Sequence, residues 1–517
     1  MTVADMLARN ASRYPEDCAL IELRPGQGLR KATIWRRFDE RANRVANVLT
    51  ARGIGKGHRV LHLMMNSIAW LEAYFGIIRT GAWAVPLNYR FTSRDIQYCA
   101  DISEASAMVL GGEFVDRAVE ARARLSTVKH YLVSGQQVPD DMECLETAID
   151  GAPDRPAGVA LAGEDVCGLY FTSGTTGDPK PIVLTHRNME FTAIAEQRHH
   201  YQQHEDNFIL IPPLYHAGAK MHWFGSLLVG GRATILTEVS PQSILQAVER
   251  ERGTIVWLLV PWAQDILGAL DRGELRLEDY DLSSWRLMHI GAQPVPPSLV
   301  RRWKEYFPDM QYDTNYGLSE ASGPGCVHLG IGNEHKAGAI GKAGEGWQVR
   351  IVDEHGRDVP AGENGELIVR GDGVMKEYYG NPERTAETIR DGWLYTGDIA
   401  RTDEDGFIYL TDRKKDIVIT GGENIYPVEV EDVIHGHPRV RDVAVIGIPD
   451  ERLGEIAAAV IEPEPGADLT EEEIAAFCEQ HLPRYKRPRR FFLDTIPRSP
   501  TGKIQKPVLR MKYGRVG

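Results

Sequence analysis

The sequence predicts an α/β protein: a large N-terminal domain of layered α/β sheets, a small β-rich subdomain, and a small α+β domain at the C-terminus. Three observations carry this. At 517 residues the chain exceeds what one hydrophobic core usually serves, so at least two domains are expected. Its first half alternates helical and strand patterns, which implies layers with largely parallel sheets. From residue 341 onward the rhythm changes to short strands separated by Gly turns.

The opening residues read as a short amphipathic helix (Val3, Met6, Leu7) ended by a Pro-containing turn. A helix over 34–52, a β-rich run at 59–64 and a helix over 67–79 follow. Apolar runs at 107–110, 129–133, 208–211, 232–236 and 254–260 continue the alternation, and the Pro-, Gly- and Ala-rich stretch 150–165 reads as a connector. Strands at 349–353, 365–370 and 406–410 make the β-rich subdomain. A further strand, a helix over 427–435, strands at 443–447 and 456–461 and a helix over 470–481 close the chain. The expected boundaries are an N-terminal domain of 1–411, a hinge at 412–415 and a C-terminal domain of 416–517.

Composition narrows the function classes. No apolar run approaches the ~18–20 residues needed to span a bilayer, and the N-terminus lacks a signal-peptide pattern. The six cysteines are scattered without a Cys-x-x-Cys pair, so neither a disulfide framework nor structural zinc is expected and a cytoplasmic location is. A net charge of −14 argues against a general nucleic-acid partner. Residues 481–517 run against that balance, with eleven Lys/Arg and one acid. They read either as a solvated tail or as a face that meets a polyanionic small molecule.

The most informative segment is 170–186, YFTSGTTGDPKPIVLTH. Gly174 and Gly177 let the backbone turn its N–H groups inward, Thr172, Ser173, Thr175 and Thr176 add hydroxyls, and Lys180 adds a positive charge, which together make a phosphate cradle. The order is not that of a Walker A loop, and such a segment alone also reads as a surface turn. Further segments agree with it in type and order: GAQP at 291–294, YDTNYGLSE at 312–320, YTGD at 395–398, TDRKKD at 411–416, GGENIYPVEVE at 421–431 and SPTGK at 499–503.

This succession, over roughly residues 30–510, closely resembles the adenylate-forming superfamily of acyl-CoA synthetases, luciferases and peptide-synthetase adenylation domains. The resemblance implies ATP, Mg²⁺ and coenzyme A as cofactors and a small-molecule carboxylic acid as substrate, with a homodimer compatible with these partners. It places Tyr316 on adenine, Gly317 where the backbone comes close, Ser319 on the α-phosphate and Glu320 on Mg²⁺, with Asn315 in the same nucleotide-binding run. Gly291, Ala292 and Gln293 would form adenine's other wall, Asp398 would accept both ribose hydroxyls, and Arg413 would meet ribose or phosphates. Lys415 matches the hinge about which a mobile C-terminal domain rotates, and Lys503 matches the catalytic lysine. Gly421, Gly422 and Glu423 match the loop lining the pantetheine tunnel, with Lys486, Arg487 and Arg489 offered to the coenzyme A 3′-phosphate. PPLYHAGAKM at 212–221 resembles the segment that opens the acyl pocket: His216 by the carboxylate, Gly218 and His222 on one helix face, and Gly323 and Gly325 leaving room. His222 would suit a polar substrate tail, and Lys220 reads as pointing to solvent.

Two departures stand out. Pro181 follows Lys180 where the family has Gly, and Pro507 follows Lys506 in the last motif. The resemblance implies an ATP-dependent acid–CoA ligase for a fatty or aryl acid. Alternatives are the same adenylation with another acceptor (an amine, a carrier-protein thiol, nitrite-type chemistry or oxygen) and a non-catalytic nucleotide-binding scaffold.

Overall fold

A computed structural model describes residues 1–135, 137–172, 179–420, 423–499 and 503–514. Two large sheets dominate the N-terminal domain. One has eight strands with Val166–Thr172, Trp83–Pro86, Arg59–Leu63, Ala107–Gly111 and His130–Ser134 in a parallel run. The other has nine, with Gln311–Leu318, Leu287–Gly291, Ile255–Leu259, Asn207–Leu210 and Arg232–Leu236 parallel at its centre. Ala107–Gly111 and Ile255–Leu259 are buried along their whole length, as parallel strands covered on both faces must be. The N-terminal helix, Val3–Arg13, is started by a capping box between Thr2 and Asp5 and buries Val3, Met6 and Leu7.

Helix Ala217–Val229 packs against helix His186–His199 and strand Gly323–His328, and only its last residues reach the surface. Its N-terminus therefore delivers side chains into the interior rather than to solvent.

The β-rich subdomain is an antiparallel sheet of Gln348–Val352, Gly365–Arg370, Trp393–Thr402 and Ile408–Arg413. The last strand runs further than the sequence pattern indicates, and its register sets Arg413 opposite Asp398. The C-terminal sheet holds Val418–Thr420, Glu423–Ile425, Val440–Asp450, Gly454–Pro463 and Arg490–Leu493, flanked by helices Pro427–His435 and Glu471–His481. Its two long strands outrun the expected 443–447 and 456–461 because they form one hairpin, closed by Gly454 at φ 83°. Pro507 sits in the first turn of helix Lys506–Tyr513, where a missing N–H costs nothing. Among the described residues no helix is long and apolar enough to cross a membrane.

Candidate active site

A cavity of about 330 Å³ opens between the N-terminal domain and the C-terminal residues 503–507. Its floor is the carboxyl edge of the central parallel strands, where ligands bind in open α/β sheets. Ala292 and Gln293 follow strand Leu287–Gly291, and Ala292 is held at φ 70°, a left-handed conformation unusual for a residue with a Cβ. Asn315, Tyr316, Gly317 and Ser319 line the neighbouring edge. At Gly317 the backbone does come close to another segment: a Cβ there would lie 1.9 Å from the Gly323 carbonyl oxygen. It is fixed as glycine by a crossing of two backbone segments.

The polar groups at this edge tie one another down. Tyr316 donates its hydroxyl to Asp398, and Arg413 Nε lies 3.4 Å from the other Asp398 oxygen. Tyr378 donates to Glu320 Oε1 at 2.8 Å. Lys180 opens strand Lys180–Thr185, pairs across from Thr172, and is half-buried. Burial lowers its pKa, Arg384 adds to this, and Glu320 opposes it, so the lysine stands within electrostatic reach of Glu320. Pro181 is accommodated inside that strand, its carbonyl accepting from Tyr379 N–H at 2.9 Å. Ser173, Gly174, Thr175, Thr176 and Gly177 lie outside the described residues.

Lys503 enters the same cavity from the C-terminal domain. Its loop is closed by Ser499 N–H to the Lys503 carbonyl at 2.8 Å and by Lys503 N–H to Ser499 Oγ at 3.1 Å. Burial pushes the ammonium down to about 8, Arg413 and Lys415 push the same way, and Asp398 and Glu320 oppose them. Arg498 joins the loop to the cavity wall by donating to Gln293, and also pairs with Asp442. His216 precedes helix Ala217–Val229; burial, Lys503 and Lys220 lower its pKa to about 3, so it is a neutral imidazole.

Beyond His216 the cavity continues along Gly218 and His222, which share a helix face, and is bounded by Trp257 and Gly323. A Cβ on Gly323 would stand 3.0 Å from Gly218 Cα, so the two glycines let the chains touch. Gly325 does not open the pocket as expected: its Cβ would meet Glu196 Oε1 at 3.1 Å, on the far side of the wall.

The model of the AMP-binding enzyme family matches residues 7–379, and that of the AMP-binding enzyme C-terminal domain matches residues 429–503. The chain belongs to the AMP-binding enzyme family. A feruloyl-CoA synthase of an Amycolatopsis species is 37% identical over 489 residues, covering 93% of this chain and 94% of that protein. A long-chain-fatty-acid–CoA ligase of Mycobacterium tuberculosis is 33% identical over 512 residues, 98% of each chain. An anthranilate CoA ligase solved with anthranoyl-AMP superposes with a TM-score of 0.91 at 27% identity, over 99% of this chain and 97% of that one. The protein is an AMP-forming acid–CoA ligase of the acyl-CoA synthetase branch.

In this ligase several groups stand where the sequence did not put them. Lys220 is fully buried instead of solvent-facing, because its helix has no solvent side there; its Nζ lies 4.1 Å from the Tyr170 ring centroid and has no hydrogen-bond partner among the described residues. Burial lowers its pKa to about 7. Lys486 is paired with Glu429, and Glu423 is exposed in a short strand, while Gly421 and Gly422 lie outside the described residues. Part of the basic tail is paired within the protein: Lys506 with Glu431 at 2.8 Å, Arg510 with Asp416 at 2.8 Å, and Lys512 with Asp494. Sequence reasoning also missed Trp257, hidden in an unbroken apolar strand, and Glu196, which carried no motif.

Proposed function

We propose that this ligase activates an aryl carboxylic acid as its acyl-adenylate and transfers the acyl group to coenzyme A, with Lys503 acting in the first half-reaction. The observation that carries the reading is that Lys503, Asp398, Arg413, His216 and the His222–Trp257 end of the acyl branch share one cavity. Two rings, His222 and Trp257, line the cavity beyond His216, and flat ring walls support an aryl acid. Asp398 accepts the ribose hydroxyls, steadied by Tyr316 and Arg413. Ser319 and the 172–177 segment meet the phosphates. Lys503 balances charge developing between the carboxylate and the α-phosphate, work that depends on position and electrostatics. Glu320 suits Mg²⁺, since Tyr378 occupies one carboxylate oxygen and leaves the other as a hard ligand beside Lys180. When bound, that ion would neutralise charge on the departing pyrophosphate.

The hinge of 412–415 then lets the 416–517 domain turn about Lys415, withdrawing Lys503 and bringing the 421–423 loop to the adenylate for attack by the thiol. Lys486 would exchange Glu429 for a coenzyme A phosphate. The test is pyrophosphate release across fatty, aryl, dicarboxylic and amino acids, with and without coenzyme A. Aryl acids should lead, with an acyl-CoA as product. Preference for long-chain acids would overturn the aryl reading, and adenylate without thioester would point to another acceptor.

A further inference from the structure

The floor of the acyl branch is backed by a cluster of buried ionisable groups that the ligation chemistry does not use. Glu196 is 0% exposed, and its carboxylate is hydrogen-bonded by His222 and Asn315 with two further imidazoles close by. His222 Nδ1 lies at 2.8 Å and His200 Nδ1 at 3.5 Å from Oε2, while Asn315 Nδ2 at 2.9 Å and His328 Nε2 at 3.2 Å approach Oε1. Asp313 extends the network, holding His200 Nε2 at 2.8 Å and His328 Nδ1 at 3.1 Å. Among these residues only His222 and Asn315 also line the cavity.

The consequence for His222 follows from donor and acceptor counting. An ionised carboxylate only accepts, so Nδ1 must carry the ring proton, and the fixed tautomer leaves Nε2 with its lone pair. Burial lowers the imidazole's pKa against the opposing pull of Glu196, which keeps the ring neutral. Nε2 has no protein donor among the described residues, and the ring borders the cavity opposite Trp257, with centroids 4.1 Å apart. Nε2 is therefore an acceptor at the cavity lining without a donor from the described residues, and a donor carried by the substrate can fill it.

We infer that His222 Nε2, oriented by Glu196, accepts a hydrogen bond from an O–H or N–H donor at the far end of the substrate, so that the preferred acid is an aryl carboxylic acid bearing a phenolic hydroxyl. The inference rests on the aryl acid–CoA ligase reading and narrows it. The carboxylate end is fixed by Lys503 and the nucleotide, so the distal ring edge faces His222. A methoxy group brings no donor, and a hydrogen brings no polar contact at all. A site built around a polar contact discriminates against the analogue lacking it far more than an apolar pocket discriminates a methylene. Glu196 is a positioning residue in this scheme, and His222 a binding one.

The experiment is kcat/KM for acyl-CoA formation over benzoic and cinnamic acids carrying hydroxyl, amino, methoxy or hydrogen at the para or meta position. Wild type should favour hydroxyl over both methoxy and hydrogen by at least ~10²-fold at one ring position. His222→Phe should bring that ratio to within about threefold, and His222→Gln, whose amide oxygen can accept, should restore part of it. Amino-substituted acids ahead of hydroxy-substituted ones would overturn the phenolic hydroxyl as the preferred donor. Equal rates for donor and non-donor acids, or a preference that survives in His222→Phe, overturn the inference alone. Should the variant not fold, the wild-type hydroxyl-to-methoxy ratio decides. No thioester from any acid overturns the ligase reading and the inference with it.

Discussion

On one face of helix Ala217–Val229, His222 joins Glu196, His200, Asp313 and His328 in a buried network where imidazoles crowd around two carboxylates. On another face of the same helix Lys220 is equally buried, yet its ammonium lies over the rings of Tyr170 and Tyr74, at 4.1 and 5.5 Å, with no carboxylate partner among the described residues. Both regions remove charge from water, and the outcome differs with the partners. In the network His328 is raised to about 9: burial alone would lower it, but hydrogen bonds to Asp313 and Glu196 outweigh that. Lys220, without a carboxylate, is driven toward neutrality. Burial of an ionisable group therefore says little until its partners are named. Lys503 stands between the two cases, half-buried at the cavity and within electrostatic reach of Asp398, Glu320 and Arg413.

The comparison can be broken most forcefully at Asp313. Asp313→Asn removes the shared partner of His200 and His328 and should lower stability by about 3–5 kcal/mol, the usual consequence of stranding one member of a buried pair. His328 sets a pH dependence as well. Its folded pKa of about 9 exceeds the unfolded value of 6.5, so its stabilisation is full below 6.5 and is lost as pH rises through about 9. Thermal melts of both proteins at pH 6 and pH 9.5 check this. A loss under 1 kcal/mol would mean the network is not what holds this region.

Lys220→Met should do the reverse on a smaller scale. With no ion pair to break, we expect no loss, or a gain of about 1 kcal/mol at pH 6, with acid activation retained. The sign follows from a folded pKa below the unfolded one. The penalty is absent above 10.5, grows as pH falls to about 7, and is constant below that, so wild-type stability rises across this window and the variant's should not. A large loss at every pH would show a partner for Nζ. The smallest effect concerns Lys503: kcat/KM for ATP should fall as pH passes about 8, where the free enzyme's ammonium deprotonates. Lys503→Arg, charged throughout that range, should lose this limb of the profile.

Much of the fold was legible because the parallel strands are short apolar runs and the N-terminal helix has a clean apolar face with its capping residues. The motifs at 291–294, 312–320 and 395–398 were legible because each is compact in sequence at a strand end or hairpin, and Ala292, Tyr316 and Asp398 from them line one cavity. The lower acyl branch was not. Glu196, Trp257 and Asp313 come from a helix and two strands far apart in sequence, and no local pattern links them to His222. Lys220 misled because helical spacing tells which residues share a face but not whether that face meets water. The glycine at 325 misled likewise, since what stands against it is side chain from elsewhere in the chain.

The central claim is that Lys503 serves adenylation and not thioester formation, and the half-reactions of Lys503→Ala test it most directly. Pyrophosphate release with acid and ATP should fall by ~10²–10³, the usual effect of losing one aimed donor at developing charge. Acyl-CoA formation from supplied acyl-adenylate should stay near the wild-type rate. Equal loss in both half-reactions, or no loss in the first, would contradict the account.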